Sequence, residues 1–148
     1  MLKNLSPVLG PELLYTLRAM GHGDEIAIVD GNYPADNAGP QNVIRADGHD
    51  ALRMLDAILS VMPLDDMVPE AAFRPQVPGK PMHLEPVMQD IAGVIGKHEP
   101  RIKLVGLEPA AFYERVRKAY AVVGTSERRL YGNVILRKGV IRPGEGPV

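Results

Sequence analysis

The chain has 148 residues, with 17 lysines and arginines against 18 aspartates and glutamates, and no cysteine. That length can bury a real core and predicts one domain over residues 1–148. The near-even charge, without blocks of one sign, excludes electrostatic attachment to nucleic acid or an anionic membrane; the missing cysteines exclude disulfides, thiolate nucleophiles and cysteine-bound metals. No apolar run approaches the roughly 20 residues of a membrane helix, and the apolar run in MLKNLSPVLG is too short for a signal peptide. With no tryptophan and only 2 phenylalanines, the core must be largely aliphatic.

Pro11 suits a first helical position, with Glu12 near the positive end of the helix dipole. Leu13, Leu14, Leu17 and Met20 recur at helical spacing, and Gly21 stops the helix. Ile26–Val29 is a short buried strand, and Gly31–Pro40 is a loop rich in Gly, Asn, Asp and Pro. Val43–Arg45 is a second strand. Asp47 is the expected N-cap of a helix carrying Leu52, Leu55, Ile58, Leu59 and Met62, ended by Pro63. Ala71–Val77 reads as a strand, which Pro75 demotes to an edge or irregular segment.

Val87, Ile91, Val94 and Ile95 mark a third helix, and Lys103–Leu107 a strand. Pro109 opens a fourth helix with Phe112, Val116 and Ala119 on one face. Ala121–Val123 and Asn133–Leu136 are the last strands, separated by a turn at Thr125–Arg129, and no helix lies between them, so one antiparallel pair is expected. Alternating strands and helices predict an α/β fold: a single-domain layered α/β/α sandwich with a mixed, mostly parallel sheet.

Candidate chemistry begins at MGHGDEIAIVD, Met20–Asp30. His22 follows a helix end, where an imidazolium also serves as a cap. The glycines on both sides leave its ring accessible and favour a role in proton transfer. Asp30 suits an Asx turn, but it also stands at the carboxyl end of a strand, where open α/β sheets bind ligands. Asp65 and Asp66 are adjacent carboxylates, read as a solvated turn or as a pair with one raised pKa. Arg45 and Asp47 suit an exposed ion pair of little energetic weight.

Tyr113 falls at the edge of the fourth helix's apolar face, where its phenol can reach ligand or backbone. Tyr131 and Asn133 flank a glycine, and the Asn133 amide offers both donor and acceptor to a sugar hydroxyl or to a turn. His49, His83 and His98 show no metal-ligand spacing, so no metal site is expected. There is no phosphate-binding glycine loop and no nucleophile elbow.

Read together, PELL, MGHGDEI, IRADG, PLD, FYER, KA, AVV and YGN followed by ILRKGV occur in that order along nearly the whole chain. In this combination the sequence resembles the fucose mutarotase and ribose pyranase family, and FYER with YGN resembles its fucose mutarotase branch. The resemblance implies a small cytoplasmic enzyme that interconverts sugar anomers without metal or redox cofactor. It implies His22 as the proton-transfer residue and Asp30, Asp65, Tyr113, Tyr131 and Asn133 as contacts to a monosaccharide substrate. It also implies ring-based homo-oligomers, often decamers, with sites at subunit boundaries.

In the mechanism expected from it, His22 relays a proton, Asp30 orients or polarises His22, and Tyr113 and Tyr131 hydrogen-bond the sugar and share the proton load. The alternatives are a pyranase-type activity, a non-catalytic sugar-binding accessory of uptake and a structural homologue that has lost activity. One position departs from the pattern: Pro109 stands where the fucose branch usually carries arginine and the pyranase branch histidine. One expected side-chain contact is therefore lost or supplied from elsewhere.

Overall fold

Six strands and four α-helices are built from the residues that the computed structural model describes, 1–40 and 42–146. Position 41 and the last two residues of the expected domain lie outside that description. Helix α1 spans Pro11–Ala19, α2 Ala51–Leu59, α3 Pro86–His98 and α4 Pro109–Lys118. Helices α1, α3 and α4 each open on a proline. Its fixed φ suits the first turn, and the N–H it lacks would have no partner there.

Helix α2 starts differently from expectation. Its N-cap is Asp50, whose side chain accepts from the Arg53 amide at 2.7 Å. Asp47 is still in the turn before it and is held by Arg45 at 2.8 Å, the exposed pair the sequence suggested. The helix closes at Ser60, whose hydroxyl donates to the Ala57 carbonyl at 2.6 Å, well before Pro63.

The strands are β1 Glu25–Val29, β2 Asn42–Ala46, β3 Ala72–Pro75, β4 Leu104–Leu107, β5 Ala121–Thr125 and β6 Val134–Arg137. They form one sheet in the order β2-β5-β1-β6-β3-β4, in which β6 alone runs antiparallel to its neighbours. The expected antiparallel pair of the last two strands is not formed. Strand β5 lies parallel between β2 and β1, and β6 inserts on the other side of β1.

Strand β3 is likewise an interior strand and not an edge. It tolerates Pro75 because the Gln76 amide turns to Leu107 of β4, and strand alternation then aims the proline nitrogen at β6. Pairing with β6 has already ended at Phe73 opposite Ile135, so no ladder bond is lost there.

Both faces of the sheet are covered, which gives the layered α/β/α arrangement. In β1, Ile26 and Ile28 enter the core shared with α1, α2 and α3, while Ala27 and Val29 enter the core under α4. That second core holds Phe73, Phe112, Val116, Val122 and Ile135. Burying Phe112 contributes about 1.5–3 kcal/mol. Strands buried on two faces read as continuous apolar runs, as IAIV and AVV do.

The loops beyond β1 and β5 are tied together. The Thr125 hydroxyl donates to the Val29 carbonyl at 2.8 Å, and the Gly31 amide donates to the Glu127 carbonyl at 2.9 Å. The Glu127 side chain is buried and receives Arg129 through Nε at 3.0 Å and Nη2 at 2.9 Å. The Arg129 hydrogen bond outweighs burial and lowers the Glu127 carboxyl from an ordinary 4.5 to about 2.

A carboxyl depressed by folding stabilises fully above its unfolded value and loses that contribution as pH falls through its folded one. Glu127→Gln should therefore weaken the protein most above pH 4.5 and progressively less towards pH 2. Urea midpoints of both forms over this range measure it; a constant difference would remove the linkage.

Candidate active site

His22 sits in the turn between α1 and β1. The turn is closed by the Gly21 amide on the Asp24 carboxylate at 2.7 Å and by the Gly23 amide on the Lys138 carbonyl at 2.9 Å. Gly23 has φ +87°, and a Cβ there would meet the Arg137 guanidinium at 3.0 Å, so both backbone and space call for glycine. His22 does not cap α1. That work falls to Lys138, whose Nζ donates to the carbonyls of Leu17 and Met20. The imidazole is left half-exposed and free for another partner.

That partner is Asp65. His22 Nε2 lies 3.0 Å from Asp65 Oδ2, and Arg137 Nε donates to the same oxygen at 2.9 Å. The Met67 amide donates to Oδ1 at 3.1 Å, and the Asp65 side chain is fully buried. Burial alone would raise this carboxyl. The bonds from Arg137, the Met67 amide and His22 outweigh it and hold Asp65 below the ordinary carboxylate range. An ionised Asp65 accepts from Nε2–H, which leaves Nδ1 as the outward nitrogen able to take or give a proton.

A second cluster forms at the other end of the sheet. Asp30 follows β1, and its amide donates to Asn133 Oδ1 at 2.7 Å while Asn133 Nδ2 donates to Asp30 Oδ2 at 3.1 Å. Asp30 Oδ1 also accepts the Asn32 amide at 2.9 Å, the Asx turn that the sequence allowed. Tyr131 adopts φ +65°, a left-handed conformation unusual for a non-glycine residue. Together with Asn133, Tyr113 and Tyr33 it lines a cavity of about 200 Å³. The rings of Tyr33 and Tyr113 stack with centroids 5.1 Å apart at 14°. Burial, the Tyr113 phenol and Asp30 push the Tyr33 hydroxyl well above its ordinary value despite Arg117.

Two groups thus emerge where the sequence suggested one. Asp30, Tyr113, Tyr131 and Asn133 gather with Tyr33, whereas His22 and Asp65 lie with Arg137. Within one chain Asp30 does not orient His22: the five residues of β1 separate them, a span of roughly 16 Å. Asp65 takes that place. It is also no solvated turn, and both its oxygens are occupied.

Strand β6 carries both groups because it runs antiparallel to β1, with Asn133 just before its start and Arg137, opposite Glu25, at its end. Tyr33 and Arg137 escaped the sequence reading. Alternation along β6 puts Asn133, Ile135 and Arg137 on one face, which was the available signal for Arg137. Tyr33 sits in an irregular loop and had none.

The FYER arginine, Arg115, has a structural place. It binds both oxygens of Glu25, through Nε at 2.9 Å and Nη2 at 2.6 Å, and lies 3.7 Å from the Phe73 ring centre. This clamps α4 to the start of β1. Among the described residues, no group of three or more His, Cys, Asp or Glu side chains is placed to hold a metal ion, and no helix is long and apolar enough to cross a membrane.

Fold and site define a mixed-sheet α/β protein with a carboxylate-held histidine at one end of the sheet and a neutral, hydroxyl-rich aromatic cavity at the other. The chain belongs to the RbsD / FucU transport protein family, whose model matches residues 3–141. It is similar to FucU from Bifidobacterium longum, at 41% identity and TM-score 0.87, over 95% of this chain and 100% of that one. It is similar to the fucose mutarotase from Streptococcus pneumoniae, solved in complex with L-fucose, at 38% identity and TM-score 0.86, over 95% and 100% of the two chains. Bacillus subtilis RbsD, solved with D-ribose, shares the fold at 21% identity and TM-score 0.73, over 96% and 100%.

Proposed function

We propose that the protein is a monosaccharide mutarotase acting on L-fucose or a close relative. The observation that carries this reading is the half-exposed His22 ring fixed 3.0 Å from the buried Asp65 carboxylate, a proton-transfer group held in one tautomer. Relatives 38% and 41% identical bear the names fucose mutarotase and FucU, which supports the same chemistry here.

Mutarotation breaks the bond between the anomeric carbon and the ring oxygen and remakes it on the other carbonyl face. On opening, the anomeric hydroxyl loses its proton and the ring oxygen gains one; closure reverses both. The reaction already proceeds in water, so orientation with modest acid–base help is enough. His22 Nδ1 relays the proton, and Asp65 holds the ring. Asp30, Tyr113, Tyr131 and Asn133 bind the sugar hydroxyls, with the Tyr113 phenol sharing the proton load.

The span of β1 is longer than a monosaccharide, so one sugar does not reach both groups of one chain. The active unit is therefore a homo-oligomer of closed symmetry, in which His22 and Asp65 of one subunit face the Asp30–Asn133 cavity of the next. A decameric ring assembly acting in the cytoplasm, with residues 1–148 as its repeating domain, agrees with the family resemblance. The family's description as transport proteins favours a second reading, a sugar-binding accessory of uptake without turnover.

Saturation-transfer NMR of anomeric exchange across L-fucose, D-ribose and other monosaccharides separates the two. Exchange above the buffer rate, with L-fucose leading, is the expected result. Saturable binding with no acceleration of any sugar would establish the accessory instead. Light scattering on the same sample should give a multiple of the 16.1 kDa chain mass.

A further inference from the structure

Tyr131 holds a left-handed backbone without the freedom of a glycine, a conformation that persists only where the surroundings fix it. The surroundings here are a loop wound round one buried carboxylate. Glu127 Oε1 accepts both the Arg129 amide and Arg129 Nε at 3.0 Å, and Oε2 accepts Nη2 at 2.9 Å. Arg129 Nη1 reaches on to Asp90 of α3 at 2.8 Å. After Tyr131 the chain passes back over the same side chain: a Cβ on Gly132 would stand 2.6 Å from Glu127 Cγ and 3.2 Å from the Arg129 carbonyl oxygen. Asn133 is then caught by Asp30.

We propose that Glu127 is a positioning residue of the sugar site: the loop closed on its side chain sets Tyr131 against the cavity and delivers Asn133 to Asp30. The proposal rests on the sugar reading above. Glu127 is not among the residues lining the cavity, so it acts through its neighbours. Its main chain serves the opposite wall as well. The Glu127 carbonyl accepts the Gly31 amide, next to Asp30, and its amide donates to Thr125 Oγ1 at 3.2 Å. One residue thereby sets the register of both loops that carry proposed sugar contacts.

The strength of the hold follows from its chemistry. An exposed ion pair contributes little, but the Glu127 carboxylate is buried and is gripped by Arg129 at two points, which fixes orientation as well as distance. Without that grip the backbone of Tyr131 would relax towards the extended or helical region favoured by L-residues, and the phenol would swing off the cavity wall.

The test uses Glu127→Gln, which keeps the size of the side chain and one acceptor but removes the charge and the two-point grip. KM for L-fucose should rise roughly 5- to 30-fold, the scale of one to two neutral hydrogen bonds. Turnover should stay within about three-fold, because sugar contacts held by the loop serve ground and transition states alike. Lost stability by itself would do the reverse, lowering active protein and apparent turnover at constant KM. Arg129→Lys keeps the balancing charge and loses the grip; its KM should fall between those of the wild type and Glu127→Gln, and it carries the same measurements if Glu127→Gln does not fold.

With the 5 tyrosines selectively labelled, the Tyr131 backbone resonances of the sugar-free wild type should report a positive φ. That signature should be lost in Glu127→Gln while the resonances of Tyr15 and Tyr120 stay in place. A wild-type Tyr131 that is not left-handed before sugar is added, a folded variant that keeps the signature, or an unchanged KM would overturn the positioning role. If the wild type binds L-fucose without exchanging it, the ratio of Kd values decides Glu127 in place of KM, and only the mutarotase reading falls. Absence of binding to every sugar overturns both.

Discussion

Replacing His22 with alanine should lower catalysed anomeric exchange by roughly 10²-fold or more, the usual weight of a positioned acid–base group. The fold should survive. The ring is half-exposed, α1 is capped by Lys138 instead, and the turn around His22 is closed by backbone and Asp24 bonds that alanine leaves intact. Removing the ring takes one of three hydrogen-bond partners from Asp65 and leaves Arg137 and the Met67 amide in place. Circular dichroism and exchange rate belong on the same sample; a folded variant with full activity would take His22 out of the mechanism.

The same variant tests the shared site. His22 and Asn133 lie at opposite ends of the sheet, so a subunit lacking one still carries the other. Mixing His22→Ala with Asn133→Ala subunits, after dissociation and reassembly, should restore part of the activity. Confirmed mixed assemblies with no recovery would count against a site built from two chains.

Asp65→Ala should be the costliest single change for the fold among the proposed site residues, and should reduce exchange as strongly as the loss of His22. Asp65 is fully buried and neutralises Arg137, whose side chain is 31% exposed. Deleting one partner of a buried pair costs about 3–5 kcal/mol; the partial exposure of Arg137 brings the expected loss to about 2–3 kcal/mol. The Met67 amide would also lose its acceptor.

The isosteric Asp65→Asn separates the two effects. It keeps an acceptor for Met67 and most of the packing, but withdraws the charge that favours one His22 tautomer. Its urea midpoint should fall less than that of Asp65→Ala, while its exchange rate stays low at every pH. A fully active Asp65→Asn would mean that the carboxylate does not hold the working ring. Because folding lowers the Asp65 carboxyl, its stabilisation is complete above the ordinary 3.8 and is lost as pH falls below it.

Much of the local structure was determined by the sequence itself. A proline at the first turn of α1, α3 and α4 is a local steric and hydrogen-bonding matter, and helical spacing of aliphatic residues needs no distant partner to be read. The runs IAIV and AVV announced strands covered on both faces. Motif order alone placed the chain in its family, and period-two alternation on β6 held the further signal for Arg137.

Tertiary structure decided what depends on partners far along the chain. Insertion of β6 between β1 and β3 made an interior strand of a proline-bearing segment, because pairing with β6 stops before the position where proline has no N–H to donate. Asp50 and not Asp47 caps α2 because it directly precedes the first helical residue, while Asp47 stays in the turn paired with Arg45. Asp65 is 43 residues from His22, and no spacing rule joins them. Their contact exists because the loop after α2 and the end of β6 converge on the turn before β1, while Asp30 is carried by β1 itself to the opposite end. A carboxylate nearby in sequence was separated from the histidine by a rigid strand, and a remote one was delivered to it by the sheet.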